Sequence, residues 1–339
     1  MTIYIKGLGL CRPGAPVSNA ALAERFSLNE EWISIYLGNQ SRYFATDLIT
    51  GKQNFSLREI ACQAALTALQ HAAIDNDQLG FIILATATPD KLMPATVNEV
   101  AYQLNLFGIP TYQLQSGCCG SLQMLHLAND LMATGRYRYG LVIGADVCHK
   151  FIDPVKNYHE SKPAELINFA LFGDGAGAMV LSADATDCHL PAITRINYQL
   201  NPSDLTPGQI VNWQGSCPHD DEMLMEDYKA IEHHVPRFAS QELHHMLTRM
   251  QLNMSQIDWF LAPQLSGRMT AKIIEKLQIP EEKAINCVAE TGNNGNALLI
   301  FQLSLLLEKL QPGQRAIAIS IESSRWLSGA LSLQYHGEK

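Results

Sequence analysis

The residue best placed to do chemistry is Cys118, the first cysteine of Ser116-Gly117-Cys118-Cys119-Gly120. It follows a short run that reads as a strand and precedes an amphipathic run that reads as a helix. A thiol at a helix N-terminus feels the positive end of the macrodipole and nearby free backbone N–H groups, and both favour thiolate. Such a cysteine can attack a thioester without a strong base, and Gly117 and Gly120 let a substrate approach the backbone closely. A buried structural cysteine is the bland alternative, and it is the reading for Cys119.

Asn293 stands in Thr291-Gly292-Asn293-Asn294-Gly295-Asn296. Its amide could donate to a developing oxyanion, or it could simply cap the helix that follows; neither role excludes the other. The glycine run Gly173-Asp174-Gly175-Ala176-Gly177-Ala178 leads directly into the strand-like Met179-Val180-Leu181. A dinucleotide site needs a helix N-terminus at that point, so a tight turn with close backbone packing is expected instead. The pairs His233-His234 and His244-His245 fall on a helical stretch without the H-E-x-x-H arrangement. They read as solvated-face histidines, and no metal or other cofactor is expected.

Alternating strands and helices must position these groups. Strands are predicted at 81–87, 112–115 and 141–145, with helices at 97–106 and 121–133 between them. The second half repeats the plan, with strands at 258–262, 284–289 and 316–321 and helices at 269–277 and 297–309. Leu141 lies 23 residues after Cys118, and Ala316 lies 23 residues after Asn293. The matching spacing suggests an internal duplication in which Cys118 and Asn293 occupy equivalent helix starts. The predicted halves are 1–182, carrying the nucleophile, and 183–339, carrying the asparagine. The segment 183–225 is the least regular, with a short strand at 194–200, and 29–53 reads as an insertion near a substrate entrance.

The bulk numbers agree with a soluble enzyme. The chain has 339 residues, 47% hydrophobic and 17% charged, with a net charge of −9. That acidity argues against nucleic acid as the main partner. The eight cysteines (Cys11, Cys62, Cys118, Cys119, Cys148, Cys188, Cys217 and Cys287) form no C-x-x-C pair, as expected in a reducing compartment. The N-terminus reads as a strand and not as a signal peptide, and no apolar run is long enough to span a membrane. The expected location is the cytoplasm.

Taken together, these residues resemble ketoacyl-acyl-carrier-protein synthase III and its relatives in the thiolase superfamily, over nearly the whole chain. Glu31-Trp32-Ile33 with Gly38 resembles the early D-E-W-I-x-x-R-x-G segment, and Ala85-Thr86-Ala87-Thr88-Pro89-Asp90 with Met93-Pro94-Ala95-Thr96 resembles T-x-x-P-D-x-x-x-P-x-x. Cys118-Cys119-Gly120 sits on the nucleophile motif, Leu171-Phe172-Gly173-Asp174-Gly175-Ala176-Gly177-Ala178 matches L-F-G-D-G-A-G-A in full, and Gly292-Asn293 falls on the later G-N. The resemblance implies a thiolase-type α/β fold, two duplicated halves in a five-layered αβαβα arrangement. It also implies an acyl-carrier-protein or acyl-CoA thioester as donor. A homodimer, or a heterodimer with a related synthase, is the implied assembly.

The departures are informative. Where the family carries P-H-Q-A-N-x-R, this chain has Ala262-Pro263-Gln264-Leu265-Ser266-Gly267-Arg268. Pro263 falls at the histidine and Ser266 at the asparagine, or, shifted by one, Gln264 takes the histidine's place. The resemblance thus leaves Cys118 and Asn293 of a Cys-His-Asn triad. Losing one oxyanion donor typically costs about 10²–10³ in rate, which counts against ordinary decarboxylative condensation by this chain alone. Tyr36 and Gln40 replace basic residues of the region that grips the coenzyme A nucleotide in the family, where Trp32 is retained. Near the C-terminus, Ile321-Glu322-Ser323-Ser324-Arg325-Trp326 replaces a Gly-rich strand end, so Glu322 and Ser323 could reshape the acyl pocket; a surface ion pair between Glu322 and Arg325 is the alternative. The candidate site is therefore Cys118 and Asn293 for catalysis, with Trp32, Gln264, Ser266, Glu322 and Ser323 for substrate. The expected activity is acyl transfer in fatty-acid-like or polyketide-type specialised metabolism. A catalytically impaired partner subunit of a heteromeric synthase is the competing reading.

Overall fold

The computed structural model describes residues 1–150, 152, 156–158, 163–202, 204–212 and 224–337, and Cys217 lies outside them. The first half opens with β1 (Ile3–Cys11), whose strict alternation of buried and half-buried positions is the period-two pattern of a sheet strand. A small excursion follows: β2 (Pro16–Ser18), α1 (Asn19–Phe26), α2 (Glu30–Trp32) continuing into a π turn at Ile33–Leu37, and β3 (Ser41–Tyr43) paired with β2. The predicted insertion, 29–53, covers the later part of this excursion and the segment after β3. Helix α3 (Leu57–Ala72) begins on a capping box in which Ser56 and Glu59 satisfy each other's backbone N–H. Then come β4 (Leu79–Ala85), α4 (Thr96–Gln103), β5 (Thr111–Leu114), α5 (Gly120–Ala133), β6 (Tyr139–Asp146), α6 (Pro163–Leu171) and β7 (Gly175–Ser182).

The second half runs through β8 (Ala192–Leu200), a small β9–β10 pair (Gln209–Val211 and Leu224–Glu226), α7 (Tyr228–Met250), β11 (Trp259–Leu261) and α8 (Gly267–Lys276). It ends with the short α9 (Val288–Thr291), α10 (Leu298–Lys309), β12 (Arg315–Glu322) and β13 (Leu327–Gln334). The strands order as β5-β4-β6-β7-β1, continued across a two-residue pairing into β8-β13-β12-β11. In each half the last strand runs antiparallel to both its neighbours: β7 to β6 and β1, β13 to β12 and β8. Phe260 of β11 also bridges in parallel to Ala284. Counting that bridge as a third strand, the two halves have the same strand order.

The core separates into layers that follow this repeat. One cluster packs α3 and α4 on the outer face of the first half-sheet. A second puts α5 and α10 between the two half-sheets, and a third packs α7 and α8 on the outer face of the other. Helices α5 and α10, buried on most sides, are the two that follow Cys118 and Asn293.

Two expectations need correction. The strand predicted over 284–289 is only a bridge, because the Gln264 side chain accepts from the Cys287 and Val288 N–H groups and turns the chain into α9. The tight turn expected over the glycine run is confined to Gly173-Asp174, because Gly175 onward is β7 itself, while the close packing expected there holds, a Cβ at Gly173 standing 2.3 Å from Thr291 O. Asp174, just before it, fastens neighbouring segments by accepting from the Ala45 N–H at 2.7 Å and the His149 N–H at 3.2 Å.

Candidate functional site

The two half-sheets end in carboxylates that reach across to each other's helix starts. Asp146 closes β6, and its Oδ2 accepts from the Asn296 N–H at 2.8 Å and the Asn296 Nδ2 at 2.9 Å. Its Oδ1 accepts from Thr86 Oγ1, the Ala87 N–H and Thr88 Oγ1. Glu322 closes β12 and lies against Gly117 of the opposite half. Both contacts demand glycine. Gly117 has φ +48° and Gly295 φ +53°; a Cβ would stand 2.6 Å from Glu322 Cγ in the first case and 2.2 Å from Asp146 Oδ2 in the second. The duplication thus repeats not only helices and strands but the cross-brace that sets each turn.

Between these braces, Cys118 sits in a single 3₁₀ turn (Gly117–Cys119) ahead of α5. It lines a narrow cavity of about 70 Å³ together with Pro263, Gln264, Asn293 and Ser323. Leu298, Leu299, Ile231 and Val235 supply apolar wall. Asn293 is held on both sides of its peptide, with its N–H on Leu171 O at 2.9 Å and its carbonyl accepting from the Gly173 N–H at 3.1 Å. Its Oδ1 accepts from the Gly295 N–H at 3.1 Å, which fixes the amide orientation and leaves Nδ2 as the donor end. Asn293 does not cap α10, whose N-cap is Ala297; its Oδ1 holds the turn before it instead.

The electrostatics of Cys118 depart from expectation. The residue keeps exposed surface, yet dense protein surrounds the thiol on the sides away from the opening. Burial first, then the carboxylates of Glu322, Asp146 and Glu226, push the thiol up to about 12. The helix terminus was expected to lower it. It does not: burial is the largest influence, the three carboxylates add to it, and α5 begins only at Gly120, beyond the thiol. Cys119, fully buried with its Sγ toward Leu327 O at 3.7 Å, is a packing residue as expected.

The remaining predicted residues divide. Gln264 lines the cavity, but its Nε2 donates to Ile285 O and its Oε1 is taken by α9, so its amide is spent on structure. Ser266 caps α8 by accepting from the Met269 N–H at 3.2 Å and borders a second, outer cavity of about 430 Å³. That outer cavity shares Leu171, Tyr228, Ile231 and Leu265 with the inner one and opens beside Tyr36, Arg268 and Lys272. Trp32 lines neither; it stacks on Tyr36 with ring centroids 5.8 Å apart. Glu322 is 2% exposed and borders neither cavity, so the surface ion pair with Arg325 does not form. Its carboxylate instead accepts from the Ser324 N–H, Ser324 Oγ and the Arg325 N–H, and burial raises its pKa. His233, His244 and His245 are exposed, whereas His234 is half-buried with its ring 5.2 Å from Trp326.

Sequence reasoning missed five polar residues of the inner wall: Gln302 and Ser320, which lie on elements it did predict, and three others. Glu226 at the end of β10, Tyr228 at the start of α7 and Gln209 on β9 all border the cavity of Cys118. No motif or spacing marks them; they come from the least regular part of the chain, and only folding brings them to the thiol.

Comparison with known proteins gives this geometry its place. Residues 112–196 match the family described as 3-oxoacyl-[acyl-carrier-protein (ACP)] synthase III, and residues 247–324 match its C-terminal region. The β-ketoacyl-[acyl-carrier-protein] synthase III of Thermosynechococcus vestitus is 30% identical over 326 residues, covering 92% of this chain and 92% of that one. The chain belongs to the 3-oxoacyl-[acyl-carrier-protein] synthase III family. Its fold is accordingly the thiolase-type α/β fold, and its relatives are condensing acyltransferases. Among solved structures, AbyA1, described as a tetronic acid condensing enzyme, superimposes with a TM-score of 0.94 at 38% identity, covering 98% of this chain and 99% of that one. The 3-oxoacyl-(acyl carrier protein) synthase III of Pseudomonas aeruginosa PAO1 gives a TM-score of 0.84 at 24% identity, with each chain covered in full. No helix among the described residues is long and apolar enough to cross a membrane.

Proposed function

We propose that this synthase III homologue is a condensing-type acyltransferase that loads an acyl group on Cys118 and passes it to an acceptor that needs no decarboxylation. The observation that carries this reading is one cavity walled by Cys118, Asn293 and Pro263. The Cys118 sulfur bonds to the carbonyl carbon of a carrier-protein or coenzyme A thioester while Asn293 Nδ2 donates to the oxygen that becomes negative. Collapse breaks the donor's carbon–sulfur bond, and the donor sulfur leaves as a thiol with the proton that Cys118 gives up. A proline side chain has no donor or base to offer where the family resemblance expects histidine. A malonyl-type acceptor, whose carbanion forms only as carbon dioxide leaves, then lacks half of its oxyanion support. Residues 1–182 are read as the half that brings the nucleophile and 183–339 as the half that brings the asparagine. Tyr36 at the outer mouth, in place of a basic residue, favours a carrier protein over free coenzyme A as donor.

The likeness to AbyA1 favours a product class. A tetronic acid is a five-membered enol lactone, so its assembly needs one carbon–carbon bond and one ester bond to a hydroxyl oxygen. A substrate carbon already flanked by two carbonyls is acidic without decarboxylation, and a hydroxyl needs only a base. Both suit a site with a nucleophile and one amide donor.

The test is intact-protein mass spectrometry after incubation with octanoyl and 3-oxooctanoyl thioesters of carrier protein and coenzyme A. The expected result is a single acyl adduct on the wild type and none on Cys118→Ala. No adduct from any donor would overturn the reading and leave the impaired-subunit role. The same reading includes a homodimer through the free edge of β5, beside which Leu92, Met93, Tyr102 and Phe107 are all exposed. Sedimentation should give a dimer, and Phe107→Asp should weaken it; a monomer at micromolar concentration would refute this assembly.

A further inference from the structure

The inner cavity holds a second acidic group that the loading reaction leaves without a task. Glu226 borders the same space as Cys118 and Asn293. Its Oε1 accepts from Gln209 Nε2 at 2.6 Å, and its Oε2 accepts from the Tyr228 hydroxyl at 2.5 Å. Tyr228 also borders the cavity, and its hydroxyl oxygen lies 2.9 Å from Asn168 Oδ1 on α6. The phenol has one proton and two acceptor oxygens around it, so a second proton has a ready place on the carboxylate side of this chain. The other two carboxylates near the thiol are unavailable for chemistry. Asp146 is saturated by five donors, and Glu322 is turned away from the cavity onto the Ser324 and Arg325 N–H groups. Pro263 contributes no titratable group.

From this arrangement we infer that Glu226 is the general base for the acceptor, with Tyr228 as the hydrogen-bonding partner that holds and relays its proton. The inference rests on Cys118 being the acyl-loading residue and names the group that unloads it. In the step, the Glu226 carboxylate takes the proton of an acceptor hydroxyl. The oxygen's electron pair forms a bond to the thioester carbonyl carbon, and the carbonyl oxygen becomes negative opposite Asn293 Nδ2. Collapse of that intermediate breaks the carbon–sulfur bond. Cys118 leaves as thiolate and takes the proton back from Glu226. The balance is an acyl thioester and an alcohol giving an ester and a thiol, with no outside reductant or oxidant.

A thiol held up to about 12 makes the returned proton necessary, since a free thiolate is a poor final state in this pocket. Gln209 and Tyr228 orient the carboxylate in the way a second hydrogen-bonded group orients a catalytic base elsewhere. The base and the thiol come from opposite halves of the fold, so the acceptor would lie between them, toward the outer cavity that Tyr228 also borders.

The experiment follows discharge of a pre-formed acyl enzyme. Wild type, Glu226→Gln and Tyr228→Phe are loaded with the octanoyl group to constant mass, freed of donor, and mixed with glycolyl N-acetylcysteamine thioester, a hydroxyl acceptor. Loss of the acyl mass is followed with time, hydrolysis in buffer serving as background. Loading to a full adduct reports that each variant has folded with its thiol site intact. We expect discharge to slow by about 10²-fold or more in Glu226→Gln and by a smaller factor in Tyr228→Phe, the range for loss of a positioned acid–base group. Glu226→Asp should recover part of the rate, which a merely structural side chain would not do. Discharge of Glu226→Gln within threefold of wild type would overturn the inference while leaving Cys118 in place. Wild-type discharge no faster with the acceptor than in buffer would overturn it too, and failure of the wild type to load would overturn both readings.

Discussion

The position of the Cys118 thiol on the pH scale can be read by alkylation. The perturbation is pH, and the structure sets the size of the response. Burial and the carboxylates of Glu322, Asp146 and Glu226 push the thiol from an ordinary 9.0 to about 12, roughly three powers of ten in thiolate fraction near neutrality. A more basic thiolate is also a better nucleophile, and a Brønsted slope of about 0.4–0.5 returns about half of that on the logarithmic scale. The exposed face of the residue moderates the effect further. The net expectation is that Cys118 reacts with iodoacetamide about 10- to 100-fold more slowly at pH 7.5 than a free thiol. Its rate should climb about tenfold per pH unit to beyond pH 10. Peptide mapping after timed exposure gives the rates, with the exposed Cys188 as internal reference. A plateau below pH 8, or a Cys118 rate above that of Cys188 at pH 7, would show that the helix terminus controls the thiol and would refute the electrostatic argument.

Further outcomes follow from the same geometry. Asn293→Ala removes an amide donor whose nitrogen the turn leaves to the cavity and should cut acyl transfer by about 10²–10³ in steady-state assays, with only about 1 kcal/mol lost in urea unfolding from the broken Gly295 bond. Pro263→His should raise carbon dioxide release from malonyl carrier protein at least about tenfold, approaching the worth of one oxyanion donor; no gain would mean that Pro263 does not occupy the acceptor's corner. Glu322 has its folded pKa raised by burial, so the folded state holds its proton more tightly than the unfolded chain does. Its favourable contribution is complete below the ordinary carboxylate range and is lost as pH rises through the raised value. Glu322→Gln should therefore gain stability relative to wild type as pH rises above the ordinary carboxylate range, and a difference that shrinks with rising pH in chemical denaturation would contradict this. Gly295→Ala puts a Cβ on Asp146 Oδ2 at positive φ and should cost at least about 1–3 kcal/mol in the same assay.

How much of this was legible without coordinates depended on whether the signal was local. The strands and helices around Cys118 came from hydrophobic period, and β4, β6, α5, α10 and β12 fall within a few residues of expectation. The duplication was visible because equal spacings survive in the sequence even where residue types do not. The short strand predicted over 284–289 failed because a distant side chain, Gln264, claims the N–H groups that a strand would have offered to a neighbour. The Cys118 thiol failed for a similar reason. Its helix terminus is a local feature, but the burial that raises its pKa first, and the carboxylates of β6, β10 and β12 that add to it, come from the fold. Glu226 and Tyr228 were invisible because hydrogen bonds to Gln209 and Asn168 leave no spacing to read.

The duplication also lets position 263 differ from the family pattern without disturbing the turns of Cys118 and Asn293. Each helix start is set by the other half: Glu322 against Gly117 for the turn of Cys118, Asp146 against Gly295 and Asn296 for the turn of Asn293. Neither brace passes through the 263 position. Replacing a donor there removes chemistry without loosening the nucleophile or the amide, since Gln264 beside it still anchors α9 and Ile285. The frame of the site and the side chain at position 263 are thus separable. On the proposed reading, a change at that corner alters what reacts with an acyl group on Cys118, while the turn that would hold the acyl group stays fixed.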